Sequence, residues 1–228
     1  MTALTFTLKS GLSNQVDCRQ LTPNLLAGLS VAEISNLSLG TQKVSDLFEV
    51  SGDVAKHAND NDTENIVFKN STPQLNNIGY KMSRGNITIQ GDAGDFLGAS
   101  LQKGTIICQG NAGDRVGDQM RRGLILIDGN VGDYAASRMI AGTIGVYGKV
   151  GNYIGFNMKR GTLLLLNKPK LHATMQDCGT HTLPFLALLF ASFKPLASAF
   201  NKVQSQRVQR FGGDLACDGN GEILVLHV

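Results

Sequence analysis

Residues 105–161 read TIICQGNAGDRVGDQMRRG, LILIDGNVGDYAASRMIAG and TIGVYGKVGNYIGFNMKRG, three ungapped rows of nineteen residues. A row of the same spacing, NITIQGDAGDFLGASLQKG, precedes them at 86–104, and TLLLL at 162–166 begins another. A degenerate copy at 65–85, NIVFKNSTPQLNNIGYKMSRG, carries two extra residues. An internal repeat of this length is typical of stacked architectures, so the period decides the fold.

Glycine recurs at fixed positions of each row. Every row of a stack must turn at the same place, and glycine permits a positive φ or a close approach of two backbones there. We therefore predict structural corners at Gly91, Gly94, Gly98, Gly110, Gly113, Gly117, Gly129, Gly132, Gly148, Gly151 and Gly155. Gly85, Gly104, Gly123, Gly142 and Gly161 form a further column that closes each row.

Apolar residues alternate at the start of each row, as in ITIQ, IICQ and LILID, and a period of two is typical of a strand. A repeat too short for a pair of helices, with strands bounded by glycine, indicates a parallel β-helix. We predict a mainly β, right-handed parallel β-helix with 19-residue coils. Ile106, Ile125 and Ile144 should then stack about 4.8 Å apart inside it, with Cys108 and Met120 also inward.

One outward column of the predicted strands is unusually apolar. It consists of Thr88, Ile107, Leu126, Gly145 and Leu164. Such a stripe is too apolar for a solvated face, so it should be covered either by the tail of this chain or by another subunit.

A solenoid needs caps on its raw strand edges. We predict an N-terminal α+β cap at 1–64, the β-helix at 65–167 and a C-terminal helix and strand attachment at 168–228. In the attachment, apolar residues have helical spacing near 183–200, and a turn and a strand, ILVLHV, close the chain.

The N-terminal cap carries several local signals. TFTLK at 5–9 alternates like a strand, and Thr22 followed by Pro23 starts a helix that Gly28 should stop. Ser30 and Glu33 have the spacing of a capping box for a second helix. Residues 44–53 are predicted as strand and turn, and 57–64 as a polar loop.

Two charged columns accompany the corners. An acidic column contains Asp95, Asp114 and Asp133, followed by Asn152. A basic column contains Arg84, Lys103, Arg122 and Arg160, is interrupted by Ala141, and has Arg121 and Lys159 beside it. Either each column is solvated or cross-paired, or the basic one binds an anion, such as a partner's acidic face or a polyanionic ligand, since stacked like charges repel.

Bulk properties exclude several classes of protein. The chain has 228 residues and a net charge of only +3, which argues against nucleic-acid binding. The N-terminus lacks the basic and apolar regions of a signal peptide, and the longest apolar run, at 183–193, is too short to span a membrane. Four scattered cysteines indicate reduced thiols in a cytoplasmic protein.

No catalytic or metal site is predicted. The chain has no GxSxG, HExxH or GxxxxGK[ST] motif. His172, Cys178 and His181, with Asp177, are metal-ligand types within ten residues, but their spacing matches no zinc signature, so an ordinary loop is expected.

A family resemblance adds to this interpretation. The spacing of Gly110, Gly113 and Gly117 resembles the glycine-repeat domain shared by the C-terminal part of glutamate synthase and the C subunit of formylmethanofuran dehydrogenase. LTPNLLAGLSVAEISNLSLG (21–40) with VSDLFEVSGD (44–53) resembles the leader of that C subunit. RFGGDLACDGNGEIL (210–224) resembles the version in aerobic C1-metabolising bacteria, where the assembly is the formyltransferase/hydrolase complex.

The resemblance implies a non-catalytic structural subunit in tetrahydromethanopterin-linked C1 metabolism. Its implied partners are an amidohydrolase-like, a formyltransferase and a molybdopterin-subunit-like chain, which together move a formyl group to a methanofuran-type carrier and release formate. It implies no cofactor on this chain. The weak net charge and the short apolar run lead us to expect no nucleic-acid or membrane partner.

The implied carrier has a long glutamate-rich tail, which suggests a ligand for the basic column. The candidate residues are Arg84, Lys103, Arg121, Arg122, Lys159 and Arg160. They come from the period of the repeat and not from the resemblance, and the column departs from its pattern at Ala141.

Two alternatives stay open. An independent enzyme on a β-helix is one, and a glutamate-synthase-like domain is the other. The second is less expected because that domain ends a much longer chain, whereas this one starts at its own Met with its own leader.

Overall fold

The computed structural model describes residues 3–9, 11–52 and 65–227. It is mainly β, as predicted: one sheet of eleven strands dominates the described residues, with few helices. The polar loop predicted at 57–64 lies outside the described residues.

The elements follow one another along the chain as short strands with four short helices. The strands are β1 Leu4–Leu8, β2 Val16–Asp17, β3 Ser38–Leu39, β4 Gln42–Lys43, β5 Phe48–Ser51, β6 Asn65–Ser71, β7 Leu75–Asn76, β8 Asn86–Gly91, β9 Thr105–Cys108, β10 Leu124–Ile127, β11 Thr143–Val146, β12 Thr162–Leu165, β13 Gln176–Thr182, β14 Arg207–Gly213 and β15 Gly221–Leu226. The helices are α1 Pro23–Leu26, α2 Val31–Ser35, α3 Val44–Leu47 and α4 Phe185–Phe193, and 3₁₀ turns lie at Ala199–Lys202 and Leu215–Cys217.

Eight neighbouring strands of the large sheet run parallel. Its order is β13-β14-β15-β12-β11-β10-β9-β8-β6-β1-β5, and the pairs from β15 through to β1 are all parallel. Antiparallel strands close both ends, β5 beside β1, and β14 with β13 beside β15. The N-terminal and C-terminal segments each supply one strand to the parallel run.

Residues nineteen apart pair in this sheet. Ile106 pairs with Ile125, and Ile125 with Ile144, so the expected column forms in sequence order. A second series of parallel bridges, farther along each row, joins Ala93, Ala112, Val131 and Val150. A third set of backbone hydrogen bonds joins Gly98 N to Ile78 O, Gly117 N to Leu97 O, Ala136 N to Val116 O and Gly155 N to Ala135 O. Neighbouring rows are therefore bonded at three places.

The apolar columns fill the space between these contacts. Side chains from every row join one buried cluster, in which Ile125, Val116 and Met120 have no exposed surface. Burial of each such side chain contributes roughly 1.5–3 kcal/mol. Cys108 lies among them, and burial raises its thiol pKa to about 12, so it is an inert core residue.

The glycine columns serve different geometric needs. Gly123 has φ +113° and lies against Gly104, so a side chain there would be strained whatever space it had. Gly113 has no such backbone angle, but a Cβ atom on it would collide with Oδ1 of Asp95 from the row before.

The apolar outward column is covered by the tail of this chain. Leu126 and Leu164 pack in a second buried cluster, which the C-terminal segment completes with Leu186, Phe190, Phe193, Phe200, Val203, Val208, Leu224 and Leu226. A Cβ on Gly145 would lie 2.9 Å from the Phe200 ring, so glycine at that position lets the ring reach the sheet.

The covering helix is shorter than the sequence predicts. α4 ends at Phe193, whereas helical spacing extends to residue 200. Pro195 has no amide hydrogen with which to continue the helix, and the chain resumes with the 3₁₀ turn at Ala199–Lys202. Among the described residues, no helix has the length and apolar character needed to cross a membrane.

The N-terminal segment matches its local signals except at one place. α1 starts at Pro23, and Ser30 and Glu33 form the capping box reciprocally. Residues 44–47 form α3 and not the predicted strand, because the Asp46 carboxylate accepts the Lys43 backbone N–H and stabilises a helix start. The strand is confined to β5.

We predict that Gly113→Ala destabilises the fold by about 1–3 kcal/mol, because its Cβ would displace the Asp95 carboxylate. The free energy of unfolding in urea measures this. Gly11→Ala is the matched control, since a Cβ on Gly11 meets nothing within 4 Å. Equal urea midpoints for the two variants would contradict the expected contact.

Candidate functional site

Five of the six cations predicted in or beside the basic column are exposed, at the end of each row just before the next strand. They are Lys103, Arg121, Arg122, Lys159 and Arg160, and we call this set the basic corner. Arg84, the sixth predicted residue, is half-buried and lies one row before Lys103.

Backbone hydrogen bonds hold the rows of the basic corner in register. Arg121 N donates to Leu101 O at 2.8 Å, and Lys159 N donates to Met139 O at 2.8 Å. Strands in register lie about 4.8 Å apart, so Lys103 and Arg122 are one spacing apart and Arg122 and Arg160 are two. The intervening row places Ile140 and Ala141 there, which divides the corner into two groups of cations.

The charges of the basic corner are largely uncompensated by the residues that the structure describes. Lys103, Arg121, Arg122 and Arg160 form no ion pair with any residue that the structure describes. Lys159 Nζ donates to Cys217 O at 2.8 Å, which is a neutral acceptor. Two cations about 5 Å apart repel by about 1 kcal/mol in water, so an anion with several carboxylates would relieve this repulsion.

The acidic column has a different role from either alternative expected from the sequence. Oδ1 of Asp95, Asp114 and Asp133 each accepts the backbone N–H of the residue nineteen positions on, at 2.8, 2.7 and 2.6 Å. The side chains therefore tie each row to the next. A parallel series runs through Asp92, Asn111 and Asn130, which accept from the N–H groups of Asn111, Asn130 and Lys149.

A half-exposed column of rings follows the acidic column, and it was not predicted from the sequence. Arg115 lies over the Tyr134 ring at 4.7 Å and over Phe96 at 6.0 Å, and Tyr134 stacks on Tyr153 at 5.0 Å. The available signal was an aromatic residue directly after the acidic column in three rows. The guanidinium takes the place of a ring in the remaining row, an arrangement that cation–π attraction stabilises.

The three possible metal ligands do not come together. His172 Nδ1 lies 2.6 Å from Thr174 Oγ1, whereas Cys178 and His181 are exposed on β13, which is a strand and not the expected loop. No group of three or more His, Cys, Asp or Glu residues that could hold a metal is found within the described ranges.

Asp214 organises the region around His172. Although burial raises the pKa of Asp214, hydrogen bonds from the Thr174 hydroxyl and from the backbone N–H groups of Asn157 and Ala216 hold it below its ordinary value. This carboxylate fixes the C-terminal segment on the last complete row.

Asp118 is a buried acid that no sequence pattern indicated. Burial alone raises its pKa, but hydrogen bonds from Arg138, Ser137 and Gln119 outweigh burial and keep the pKa below its ordinary value. The Arg138 guanidinium binds both carboxylate oxygens, at 3.0 and 2.6 Å, from the following row. Only the RVGDQM row carries an acid at this position. Asp118 therefore belongs to no column of acids that the sequence could reveal.

Comparisons with curated proteins identify similar chains, although no protein-family model matches. The C subunit of the formyltransferase/hydrolase complex Fhc of Methylorubrum extorquens is 34% identical over 97 residues, which are 41% of this chain and 34% of that protein. The C subunit of the tungsten-containing formylmethanofuran dehydrogenase 2 of Methanococcus maripaludis is 30% identical over 101 residues, 42% of this chain and 35% of that protein. The matched part thus spans about a third of these relatives' length.

A solved structure is similar over almost the whole chain. It is the crystal structure of the formyltransferase/hydrolase complex (FhcABCD) from Methylorubrum extorquens in complex with methylofuran. One of its chains is 31% identical, with a TM-score of 0.62, and the match covers 98% of this chain and 100% of that one.

We predict that Arg138→Ala lowers the free energy of unfolding by about 1–3 kcal/mol at pH 7, because the buried Asp118 carboxylate loses its cation. The stabilising effect of the wild-type carboxylate is present above its unfolded pKa and is lost as the pH falls through its lower folded pKa. The loss caused by Arg138→Ala should therefore be smaller at pH 3 than at pH 7.

Urea unfolding at both pH values measures the difference between wild type and variant. Arg19→Ala, which breaks the exposed pair with Asp17, is the control and should cost less than about 1 kcal/mol. An Arg138→Ala loss that is the same at pH 3 and pH 7 would contradict the role assigned to Asp118.

Proposed function

The chain belongs to the family formed by the C subunits of formylmethanofuran dehydrogenases and formyltransferase/hydrolase complexes, and from this membership we propose that it is a non-catalytic structural subunit of such an assembly. The observation that carries the proposal is the match over 98% of this chain and 100% of a chain in the FhcABCD structure. A shared segment alone would support a common domain, whereas a match over both full lengths supports a common role.

The proposed partners are an amidohydrolase-like chain, a formyltransferase and a molybdopterin-subunit-like chain. In this proposal the complex moves a formyl group from tetrahydromethanopterin to a methanofuran-type carrier and releases formate. This chain itself binds no cofactor in the proposal and holds its partners in place.

The use of polar side chains supports a non-catalytic role. Asp95, Asp114 and Asp133 bind backbone N–H groups of the next row. Asp118 is held by Arg138, and Asp214 by backbone donors and Thr174. These acids are committed to structural hydrogen bonds and would need a large rearrangement to act as a catalytic acid or base.

We also infer that the rows wind as a right-handed parallel β-helix with 19-residue coils. Pairing at nineteen-residue separation in the sheet, at the Ala93–Ala112–Val131 bridges and at the third hydrogen-bonded series supports one closed turn per row. The handedness follows from the strong preference for right-handed crossovers between parallel strands. We retain the division into a cap at 1–64, the helix at 65–167 and an attachment at 168–228 as part of this proposal.

The basic corner is proposed to contact the glutamate-rich tail of the carrier. The solved complex contains methylofuran, and this chain presents stacked cations without ionic partners among the described residues. Successive carboxylates of an extended tail could pair with Lys103 and Arg122 on one side of Ile140 and with Arg160 on the other. An attraction of this kind weakens as salt is added.

Co-expression with the companion subunits tests the structural role. We expect a stoichiometric complex that turns over the formyl donor, whereas the purified chain alone should have no such activity. The measurement combines light scattering with formate release. Turnover by the isolated chain would support the alternative of an independent enzyme and contradict the proposal.

A double charge reversal tests the carrier contact. Lys103→Glu with Arg122→Glu should weaken binding of the glutamate-tailed carrier to the complex at least tenfold at low salt, because two attractive contacts become repulsive. Lys149→Glu, an exposed cation outside the basic corner, is the control. Calorimetric titration measures the affinity, and unchanged affinity in a fully assembled variant complex would remove the proposed contact.

A further inference from the structure

Helix α4 is apolar on both of its faces. Its sequence, FLALLFASF, contains one polar residue, Ser192. The inner face buries Leu186, Phe190 and Phe193 over the sheet, where they form the second buried cluster. A helix that served only as a cover would carry polar residues on its outer face.

The outer face of α4 is instead exposed and apolar. Leu188 is 78% exposed and Phe185 is 46% exposed, with Ala187 and Ala191 exposed beside them. Residues 185 and 188 are three apart and therefore lie on the same side of the helix. Contiguous exposed apolar surface of this kind, rimmed by polar groups, is typical of a protein interface.

The stretch of chain that carries this face contains charged residues of one sign. From Cys178 to Gly213 the chain contains Lys194, Lys202, Arg207 and Arg210 and no acidic residue. Lys194 caps the C-terminal end of α4, and Lys202 belongs to the 3₁₀ turn that packs on it. Arg207 pairs with Thr182, just before α4 begins. All three are exposed, so the apolar face has cations at both ends.

We propose that the outer face of α4 is a docking surface for another subunit of the assembly, one whose contact patch is apolar and rimmed by carboxylates. The inference rests on the proposed function and adds the surface and the chemistry of the partner. Complementary charges steer association and select partners. The same cations disfavour a second copy of this chain on this face, since Lys194, Lys202 and Arg207 would lie against the cations of the second copy and repel them.

Hydrogen bonds to the sheet hold the segment after α4 in place. Ser198 Oγ donates to Asp128 Oδ1 at 2.6 Å, and Ala199 N donates to the same oxygen at 2.9 Å. Gln109 Nε2 donates to Ala197 O at 3.1 Å. These bonds fix the segment that follows α4 to two rows of the sheet, so a partner would meet a helix that is already positioned and would lose little ordering entropy on binding.

Substitutions at the exposed face test the proposal in the co-expressed complex. Leu188→Ser should lower the affinity of this chain for its companions at least tenfold, and Lys194→Glu with Lys202→Glu should lower it and reduce its dependence on salt. Leu25→Ser is the matched control, since Leu25 is 55% exposed on α1 and away from α4. Circular dichroism and urea midpoints should be unchanged, because Leu188 makes little buried contact.

A photo-reactive residue in place of Leu188 identifies the occupant directly. In the wild-type complex we expect a cross-link to a companion subunit, at a segment with apolar residues flanked by Asp or Glu. A cross-link to a second copy of this chain would overturn the proposal. Binding of the complex to vesicles of phosphatidylserine and phosphatidylcholine that Leu188→Ser abolishes would overturn it as well.

The outcomes separate the two proposals. If Leu188→Ser assembles as tightly as wild type, the docking surface is refuted and the proposed function stands. If the unmodified chain does not assemble with its companions at all, the proposed function fails and this inference fails with it.

Discussion

Backbone pairing between residues nineteen apart is the constraint on which the rest of the structure depends. It places Ile106, Ile125 and Ile144 in one column and brings every equivalent side chain within about 4.8 Å of its copy. An error of one residue in this register would turn the apolar columns toward solvent and the polar ones toward the core. Apolar columns benefit from such stacking, whereas like charges do not. Charged side chains in the rows therefore need partners other than their own copies.

The charged side chains of the rows meet that requirement in three ways. The carboxylates of Asp95, Asp114 and Asp133 each accept a hydrogen bond from a backbone N–H group of the next row, so the acidic column links neighbouring rows. Asp118 is buried and has its own arginine one row on. The cations of the basic corner have no ionic partner among the described residues, so an external anion can lower their electrostatic energy.

The two proposed contact surfaces come from different parts of the chain. The basic corner is a product of the repeat, since a cation recurs at one position of the row in all but the row at 124–142. The outer face of α4 belongs to the non-repeating attachment, whose inner face completes the sheet cover. A structural subunit needs surfaces that do not compete for the same residues, and Lys103 and Leu188 lie in separate elements. This arrangement is consistent with a chain that contacts a carrier tail and a companion protein at once.

The sequence by itself determined the period, the inward columns and the apolar outward stripe, because repeated rows can be aligned with one another directly. It also determined the family, through the glycine spacing and the non-repeating segments at both ends. It could not determine that Asp95 bonds across the row or that Arg115 substitutes for a ring, since these contacts depend on side-chain geometry between rows. It also gave no indication of β13 and α3. Strand β13 is exposed on both faces and so has no apolar alternation, and α3 forms because Asp46 caps it locally. Only the tertiary structure decided that the chain's own tail covers Leu126 and Leu164, and that α4 keeps an apolar face outward. Apolar residues occupy both faces of α4, so their spacing does not show which face is buried. Burial depends on how the whole molecule packs.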